Sequence, residues 1–208
     1  MKSKIYRIIF LTGLTFVTIT RPLFAQKGLW YGISLGEQNT YLRSWSRSEI
    51  DTRNAVRPVA LFNLEYEFTS GASIQSGIGY SLYTQNTSKF KNNFNYVTIP
   101  LYLKGGSFKN DRKYALSYFC GINSNFLTSA KNIYQGKKND IMKYTQKFHQ
   151  DFVLGFGMKH KFTDNILLET YLTGAVGGYI NKASFDGFAI INMNYGVLFS
   201  LKYQFKKK

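Results

Sequence analysis

The most constraining feature of this sequence is the alternation of apolar and polar residues in its C-terminal segment. From Ile191 to Phe205 every odd position is Ile, Met, Tyr, Val, Phe or Leu, whereas the even positions are mostly Asn, Gly, Ser, Lys and Gln. A period of two residues is that of a β-strand whose two faces differ. One face of this strand suits lipid and the other suits water.

The same alternation recurs along the chain in segments of about ten residues, the length that a tilted strand needs to cross a bilayer. The eight segments are Gly28–Gly36, Arg57–Phe68, Ala72–Thr84, Phe94–Gly105, Tyr114–Phe126, His149–Phe162, Ile166–Gly178 and Ile190–Phe205. In a soluble sandwich, eight aromatic-rich apolar faces would overfill one core. The sequence therefore predicts an all-β fold, a transmembrane antiparallel up-and-down β-barrel of eight strands, in one domain over residues 26–208.

The connections between these segments alternate between short and long. Thr69–Gly71 and Thr163–Asn165 are three-residue turns, and we expect the third residue of each to adopt the left-handed conformation of a bulged turn. Short turns on the periplasmic side and long outer loops are typical of outer-membrane barrels. The predicted outer loops are Glu37–Val56, Gln85–Asn93, Leu127–Phe148 and Tyr179–Ala189.

The N-terminus has the parts of a secretory signal peptide. A basic stretch, Met1–Arg7, precedes an apolar run, Ile8–Ile19, and the small Ala25 comes directly before Gln26. The apolar run is too short to span a bilayer comfortably. We therefore expect cleavage after residue 25 and a mature barrel in a bacterial outer membrane, with a retained N-terminal anchor as the alternative.

The charge balance of the chain is strongly basic. Removing the four basic residues of residues 1–25, Lys2, Lys4, Arg7 and Arg21, lowers the net charge from +16 to +12. An exported basic protein meets lipopolysaccharide phosphates and acidic glycans, so nucleic acid is not an expected partner. Four lysines of one predicted outer loop are candidate lipopolysaccharide contacts, and a solvated loop is the alternative: Lys131, Lys137, Lys138 and Lys143.

Charged residues also interrupt the apolar strands at the end opposite the long loops. Glu65-Tyr-Glu-Phe-Thr69 and Lys159-His-Lys-Phe-Thr163 align position for position with opposite charges. A charged side chain facing lipid is costly, so these charges are expected in the lumen. The predicted luminal ion-pair network, which would close the inner half, consists of Glu65, Glu67, Lys104, Lys159, Lys161, Glu169 and Lys202. The alternative is that these charges contact only water.

One central segment resembles a known family. Asn95-Tyr-Val-Thr-Ile-Pro-Leu-Tyr-Leu-Lys104 is similar to the "YLEIPLLLK"-type strand of PorT-like porin outer-membrane barrels of Bacteroidota, and Asp151-Phe-Val-Leu-Gly-Phe-Gly157 resembles a later strand of that family. The resemblance implies an outer-membrane barrel that meets the barrel assembly machinery and serves a protein secretion apparatus or surface proteins. Pro100 within a strand predicts a bulge there.

The sequence offers little chemistry. His149 and Asp151 share a strand face near the predicted outer rim, but no serine stands beside them, so a lipid-modifying enzyme is the least favoured function. Cys120 has no cysteine partner, and no cofactor or metal motif is present. We expect a monomeric structural or binding scaffold, not an enzyme, that acts through its outer loops. A narrow passive pore is an alternative, although eight strands leave an interior that side chains can fill.

Overall fold

The structure is a computed structural model that describes residues 26–44, 55–68, 71–86, 90–106, 112–180 and 190–204. The predicted signal peptide, residues 1–25, lies outside these ranges. The strands are β1 Gln26–Ser44, β2 Ala55–Phe68, β3 Ser73–Asn86, β4 Phe90–Gly105, β5 Tyr114–Tyr134, β6 Lys137–Asp140, β7 Phe148–Thr163, β8 Ile166–Tyr179 and β9 Ile190–Gln204. Within the described ranges, no helix is both long and apolar enough to cross a membrane.

Eight of these strands form a closed antiparallel barrel. Each of β1 to β4 pairs with the next strand, β5 pairs with β7, β7 pairs with β8, and β9 pairs with both β8 and β1. No barrel strand is left with an open edge, so backbone hydrogen bonds are satisfied within the wall. The predicted eight-stranded barrel is confirmed. The short β6 pairs with the far end of β5, beyond the barrel.

The barrel has an apolar exterior and a more polar interior. On β7, Phe152, Leu154 and Phe156 are about half exposed, whereas Asp151 and Lys159 on the opposite face are buried. Further exposed apolar side chains on other strands are Leu29, Ile33, Leu35, Phe62, Leu64, Ile78, Leu101, Leu103, Leu172, Phe199 and Leu201. A wall of this polarity suits a lipid bilayer around it.

The strands extend farther than the sequence predicts at the end away from the short turns. β1 continues to Ser44 and β5 to Tyr134, so parts of the predicted loops Glu37–Val56 and Leu127–Phe148 are strand. The latter also contains β6 and a single 3-10 turn, Met142–Tyr144. The loop prediction was wrong here because polar residues on both faces give no apolar contrast, although their backbones still pair.

The short turns differ from each other. Gly71 has φ +82°, the predicted left-handed conformation, whereas Asn165 does not have positive φ. At the second turn the Thr163 hydroxyl accepts hydrogen bonds from the backbone N–H groups of Asn165 (3.2 Å) and Ile166 (3.0 Å). A side-chain turn of this kind replaces the left-handed residue.

Pro100 lies in a regular part of the sheet, so the predicted bulge at this residue was wrong. The β3–β4 register runs without a shift from Ser76↔Leu101 to Gly79↔Thr98. The Pro100 carbonyl still accepts a hydrogen bond from the Ser76 hydroxyl (2.9 Å). The bulge in β4–β5 occurs instead between Asn95 and Tyr96.

Candidate functional site

The inner end of the lumen is the end where β1 begins, β9 ends and the β7–β8 turn lies. The outer end is the end where β6 lies. Alternation along the strands turns Glu65 of β2, Lys104 of β4, Lys159 of β7, Glu169 of β8 and Lys202 of β9 into the lumen near the inner end. These five residues, here called the inner ion network, are all at most 2% exposed.

The inner ion network is built around two carboxylates that share two ammonium groups. Lys104 Nζ lies 2.9 Å from Glu65 Oε2 and 2.6 Å from Glu169 Oε2. Lys202 Nζ lies 2.6 Å from Glu169 Oε2 and also contacts Glu65 Oε2. Lys159 is more distant, with Nζ 3.6 Å from Glu169 Oε1 and 4.0 Å from Glu65 Oε1.

Neutral luminal groups complete the hydrogen bonding of this network. Gln75 Oε1 accepts from Lys104 (3.0 Å) and Lys202 (2.8 Å), and its Nε2 donates to Asn63 Oδ1 (3.1 Å). The Ser73 hydroxyl donates to Glu65 Oε1. Buried charges are tolerated when opposite charges and further hydrogen bonds surround them, as here.

The other two residues of the predicted network have contacts outside the inner ion network. Lys161 Nζ lies 2.9 Å from Asp164 Oδ1 at the inner rim, where both side chains are partly or largely exposed. Lys161 still pairs with Leu167 in the register of the Lys159–Glu169 pair, but it lies two residues nearer the rim. Glu67 Oε2 accepts a hydrogen bond from the indole N–H of Trp30 (3.0 Å).

An apolar layer lies outward of the inner ion network. Its residues are Leu61, Tyr102, Phe119, Val153, Tyr171 and Leu198. The rings of Tyr102 and Phe119 stack with centroids 4.6 Å apart, and Phe119 meets Tyr171 edge to face at 5.0 Å. Beyond this layer is a cavity of about 40 Å³ that Ser81, Thr98 and Asn123 help to line. A cavity of this size with some polar groups in its wall has room for a few water molecules.

A second polar group, the Asp151 cluster, fills the lumen nearer the outer end. Asp151 Oδ2 accepts hydrogen bonds from Tyr83 (2.8 Å), Asn125 (2.9 Å) and Asn192 (3.2 Å). His149 Nε2 lies 3.4 Å from Asp151 Oδ1 and 3.2 Å from Asn125 Nδ2. The carboxylate therefore holds side chains of four strands together in a site with no exposed surface on Asp151.

An outer cap covers the Asp151 cluster. It is the segment 141–146, which includes the 3-10 turn. Ile141 and Met142 pack against a buried group that consists of Tyr83, Phe94, Tyr96, Ala130 and Ile180. The backbone N–H of Ile141 donates to Ala130 O (3.0 Å), and that of Gln146 donates to Ile180 O (2.7 Å). These bonds fix the cap across the mouth, on both sides of the lumen.

The four candidate lipopolysaccharide-contacting lysines do not lie in one irregular loop. Lys131 is on β5, Lys137 and Lys138 are on β6, and Lys143 is in the cap, where its Nζ lies 4.5 Å from the Tyr144 ring centroid. Neighbouring residues of a strand point to opposite faces, so Lys137 and Lys138 face different ways.

His149 is enclosed by the side chains of the Asp151 cluster. The residue is 4% exposed beneath the cap. Within the described part of the chain, no group of three or more His, Cys, Asp and Glu residues could hold a metal ion. Cys120 is exposed on the outer wall of β5.

Sequence reasoning missed most of the Asp151 cluster. It selected His149 and Asp151 by their spacing. Tyr83, Asn125 and Asn192 come from other strands, and nothing in the pattern of a single strand distinguishes them from other residues that face the lumen. Their common depth becomes visible only with the register, which places Asn125 opposite His149 on neighbouring strands. Finding them requires the stagger of the strands around the barrel, which sets the depth of each residue in the lumen.

Together these features define a small, closed β-barrel with an apolar exterior and a filled lumen. No family model and no curated protein matches the sequence. Among solved structures, the crystal structure of Neisserial surface protein A is similar, with 12% identity, 87% of this chain and 99% of that chain covered, and a TM-score of 0.57. The likeness at this identity concerns the fold, which is that of small outer-membrane barrels.

Two other solved structures resemble the chain less closely in shape. The N-terminal β-barrel domain of Pseudomonas aeruginosa OprF is 11% identical, with 85% of this chain and 99% of that chain covered and a TM-score of 0.44. Ail, the attachment invasion locus protein of Yersinia pestis, is 10% identical, with 85% and 99% covered and a TM-score of 0.45. The fold assignment rests on the first comparison and on the strand pairing.

Proposed function

We propose that this protein is an integral barrel of the bacterial outer membrane that acts as a scaffold, with a sealed lumen and a recognition surface at its outer end. The observation that carries the proposal is the layered filling of the lumen. The inner ion network, the apolar layer, the Asp151 cluster and the outer cap follow one another along the axis. Such an interior holds the wall rigid and leaves the extended outer ends of the strands for recognition.

The outer end supports a binding role because it is ordered beyond the lipid-facing band. β5 and β6 form a paired hairpin there, with exposed residues throughout β6. Binding residues on a rigid scaffold lose less conformational entropy on binding than those on a free loop. A passive pore is disfavoured because each layer occupies the lumen.

The finer assignment is to the PorT-like porins of Bacteroidota. The segment that carries the resemblance is β4, which turns Thr98, Tyr102 and Lys104 into the lumen. Lys104 ends the motif and is a member of the inner ion network, so the motif has a structural role in this chain. By this resemblance, the partners would be the barrel assembly machinery and components of a secretion apparatus or surface proteins.

Membrane fractionation and conductance test the proposal together. The full chain is expressed in a Gram-negative host, inner and outer membranes are separated by density, and the purified protein is added to planar bilayers. We expect recovery with the outer membrane and no stable conductance. Recovery in the inner membrane would refute the location, and steady single-channel currents would refute the sealed scaffold.

A further inference from the structure

We infer that Lys91, Lys131 and Lys138 form a docking site for the phosphate groups of a phosphorylated glycolipid of the outer leaflet. This inference rests on the proposed membrane location and names the chemistry of one surface. The three residues, here called the lysine triangle, lie on three neighbouring strands, β4, β5 and β6, beyond the outer end of the barrel.

The strand register places the lysine triangle on one face. Asn93 pairs with Lys131 and Lys91 with Ile133, whereas Lys131 pairs with Asp140 and Ile133 with Lys138. Directly paired residues share a face, and diagonal neighbours lie about 7–8 Å apart. Lys131 is therefore a diagonal neighbour of both other lysines, with Ile133 between them.

That face continues the lipid-facing wall. β4 alternates without a shift against β3 from Tyr80↔Val97 to Asn86↔Lys91, so Lys91 is on the same side as Val97, Ile99 and Leu101. The wall becomes polar at Asn95, whose amide donates to the Ser129 hydroxyl (2.8 Å). From Asn95 to Lys91 is about 13 Å along a strand, or about 10 Å along the axis at the usual tilt.

This height fits a headgroup. The polar layer on each side of a bilayer core is about 5–8 Å thick, and lysine side chains can reach back along a surface. The lysine triangle thus faces the outer part of the headgroup layer, where phosphorylated sugars of a glycolipid would lie. A protein partner would instead meet the top of the hairpin.

The charge of the triangle is only partly balanced, because one carboxylate, that of Asp140, shares its face with three ammonium groups. Within the described residues, none of the three lysines makes an ion pair or a side-chain hydrogen bond. Asp140, the register partner of Lys131, directs its Oδ1 to the backbone N–H of Met142 (2.8 Å). Three neighbouring ammonium groups repel one another, and anionic phosphates would relieve that repulsion.

The hairpin also offers a matched control. Lys137 is on the other face of β6, Lys143 is in the cap, and the exposed Lys147 follows the cap. Changing these three lysines to Gln removes the same charge from the same segment without touching the lysine triangle. A purely general attraction between charges would respond equally to both triple variants.

The experiment measures binding of diphosphoryl lipid A, supplied in detergent micelles, to the full-length protein. We expect Lys91→Gln/Lys131→Gln/Lys138→Gln to weaken binding at least tenfold, the control triple to weaken it less than twofold, and the corresponding Lys→Arg triple to retain it. Dephosphorylated lipid A should bind the unchanged protein no better than it binds the Lys91→Gln/Lys131→Gln/Lys138→Gln variant. Equal losses in both Gln triples would overturn the inference.

Two further measurements separate the possible failures. Inorganic pyrophosphate should not displace lipid A at matched concentration; displacement would show a site for free phosphate and overturn the glycolipid assignment. Each variant is also run on gels with and without heating. A protein that shows no heat-dependent mobility and no outer-membrane recovery contradicts the proposed function, whereas a folded, correctly located protein without the tenfold difference contradicts only the lysine triangle.

Discussion

At the scale of single residues, the geometry ranks the ion pairs of the lumen. Lys202 contacts both carboxylates of the inner ion network closely, whereas Lys159 lies 3.6 Å from the nearer carboxylate oxygen and Lys161 pairs with an exposed aspartate. A buried charge that loses its partner is costly, but an exposed pair contributes little. Equal formal charge therefore does not mean equal stabilisation.

We predict that Lys202→Gln and Glu65→Gln each lower the free energy of unfolding by about 3 kcal/mol, because each leaves a buried opposite charge with fewer partners. The double variant should lose at least 1 kcal/mol less than the sum of the single losses, as residues of one network couple by about that much. Urea unfolding in detergent measures all three. Lys161→Gln is the control, with a loss of about 0.5 kcal/mol or less.

A second residue prediction concerns the Asp151 cluster. Tyr83→Phe removes one hydroxyl that donates to a buried carboxylate at 2.8 Å, and hydrogen bonds to charged groups contribute about 2 kcal/mol. We expect that loss in unfolding free energy. Tyr80→Phe makes the same chemical change at a residue that is 45% exposed on the outer wall, and it should shift stability by less than about 0.5 kcal/mol. Equal effects of the two substitutions would show that Asp151 does not need the hydroxyl.

At the scale of strands, the sequence predicted the strands that have one apolar face and missed the strand extensions that lack one. The eight barrel strands can be recognised because one face of each is apolar. Glu65, Lys104 and Lys202 can be recognised because they are charged residues within these largely uncharged strands. The continuation of β5 to Tyr134 brings Lys131 and Ile133 to one face and Asn132 and Tyr134 to the other, and its pairing with β6 adds lysine to both faces. Backbone pairing, for which every residue except proline has both a donor and an acceptor, extends these strands without a sequence signal.

The orientation of the hairpin can be tested with cysteine labels. In a Cys120→Ala background, Lys137→Cys places a thiol on the exposed β6, and Asp164→Cys places one at the inner turn. If the hairpin faces outward, a membrane-impermeant maleimide should label the first variant in intact cells and the second only after lysis. Labelling of Asp164→Cys alone in intact cells would reverse the orientation.

At the scale of the whole molecule, closing the barrel brings the backbones of neighbouring strands so close that some interior positions have no room for a side chain. An eight-stranded wall is strongly curved, so interior positions of neighbouring strands crowd one another. The interior-facing Gly157 of β7 is a clear case, since a Cβ at this residue would overlap the Thr170 carbonyl oxygen of β8. Gly174 of β8 faces outward and a Cβ there would meet nothing within 4 Å.

This contrast gives a test of the closed barrel as a unit. Gly157→Val should impede closure between β7 and β8 and cost about 3 kcal/mol, because overpacking forces the backbone to move. Gly174→Val adds the same volume toward lipid and should leave the folded fraction unchanged. Heat-dependent gel mobility after refolding in detergent reports the folded fraction of both variants. The strand pairing requires that Gly157→Val alone fails to fold. In an open sheet, β7 and β8 could move apart to admit the new side chain. Equal folding of the two variants would therefore contradict a closed barrel of this register.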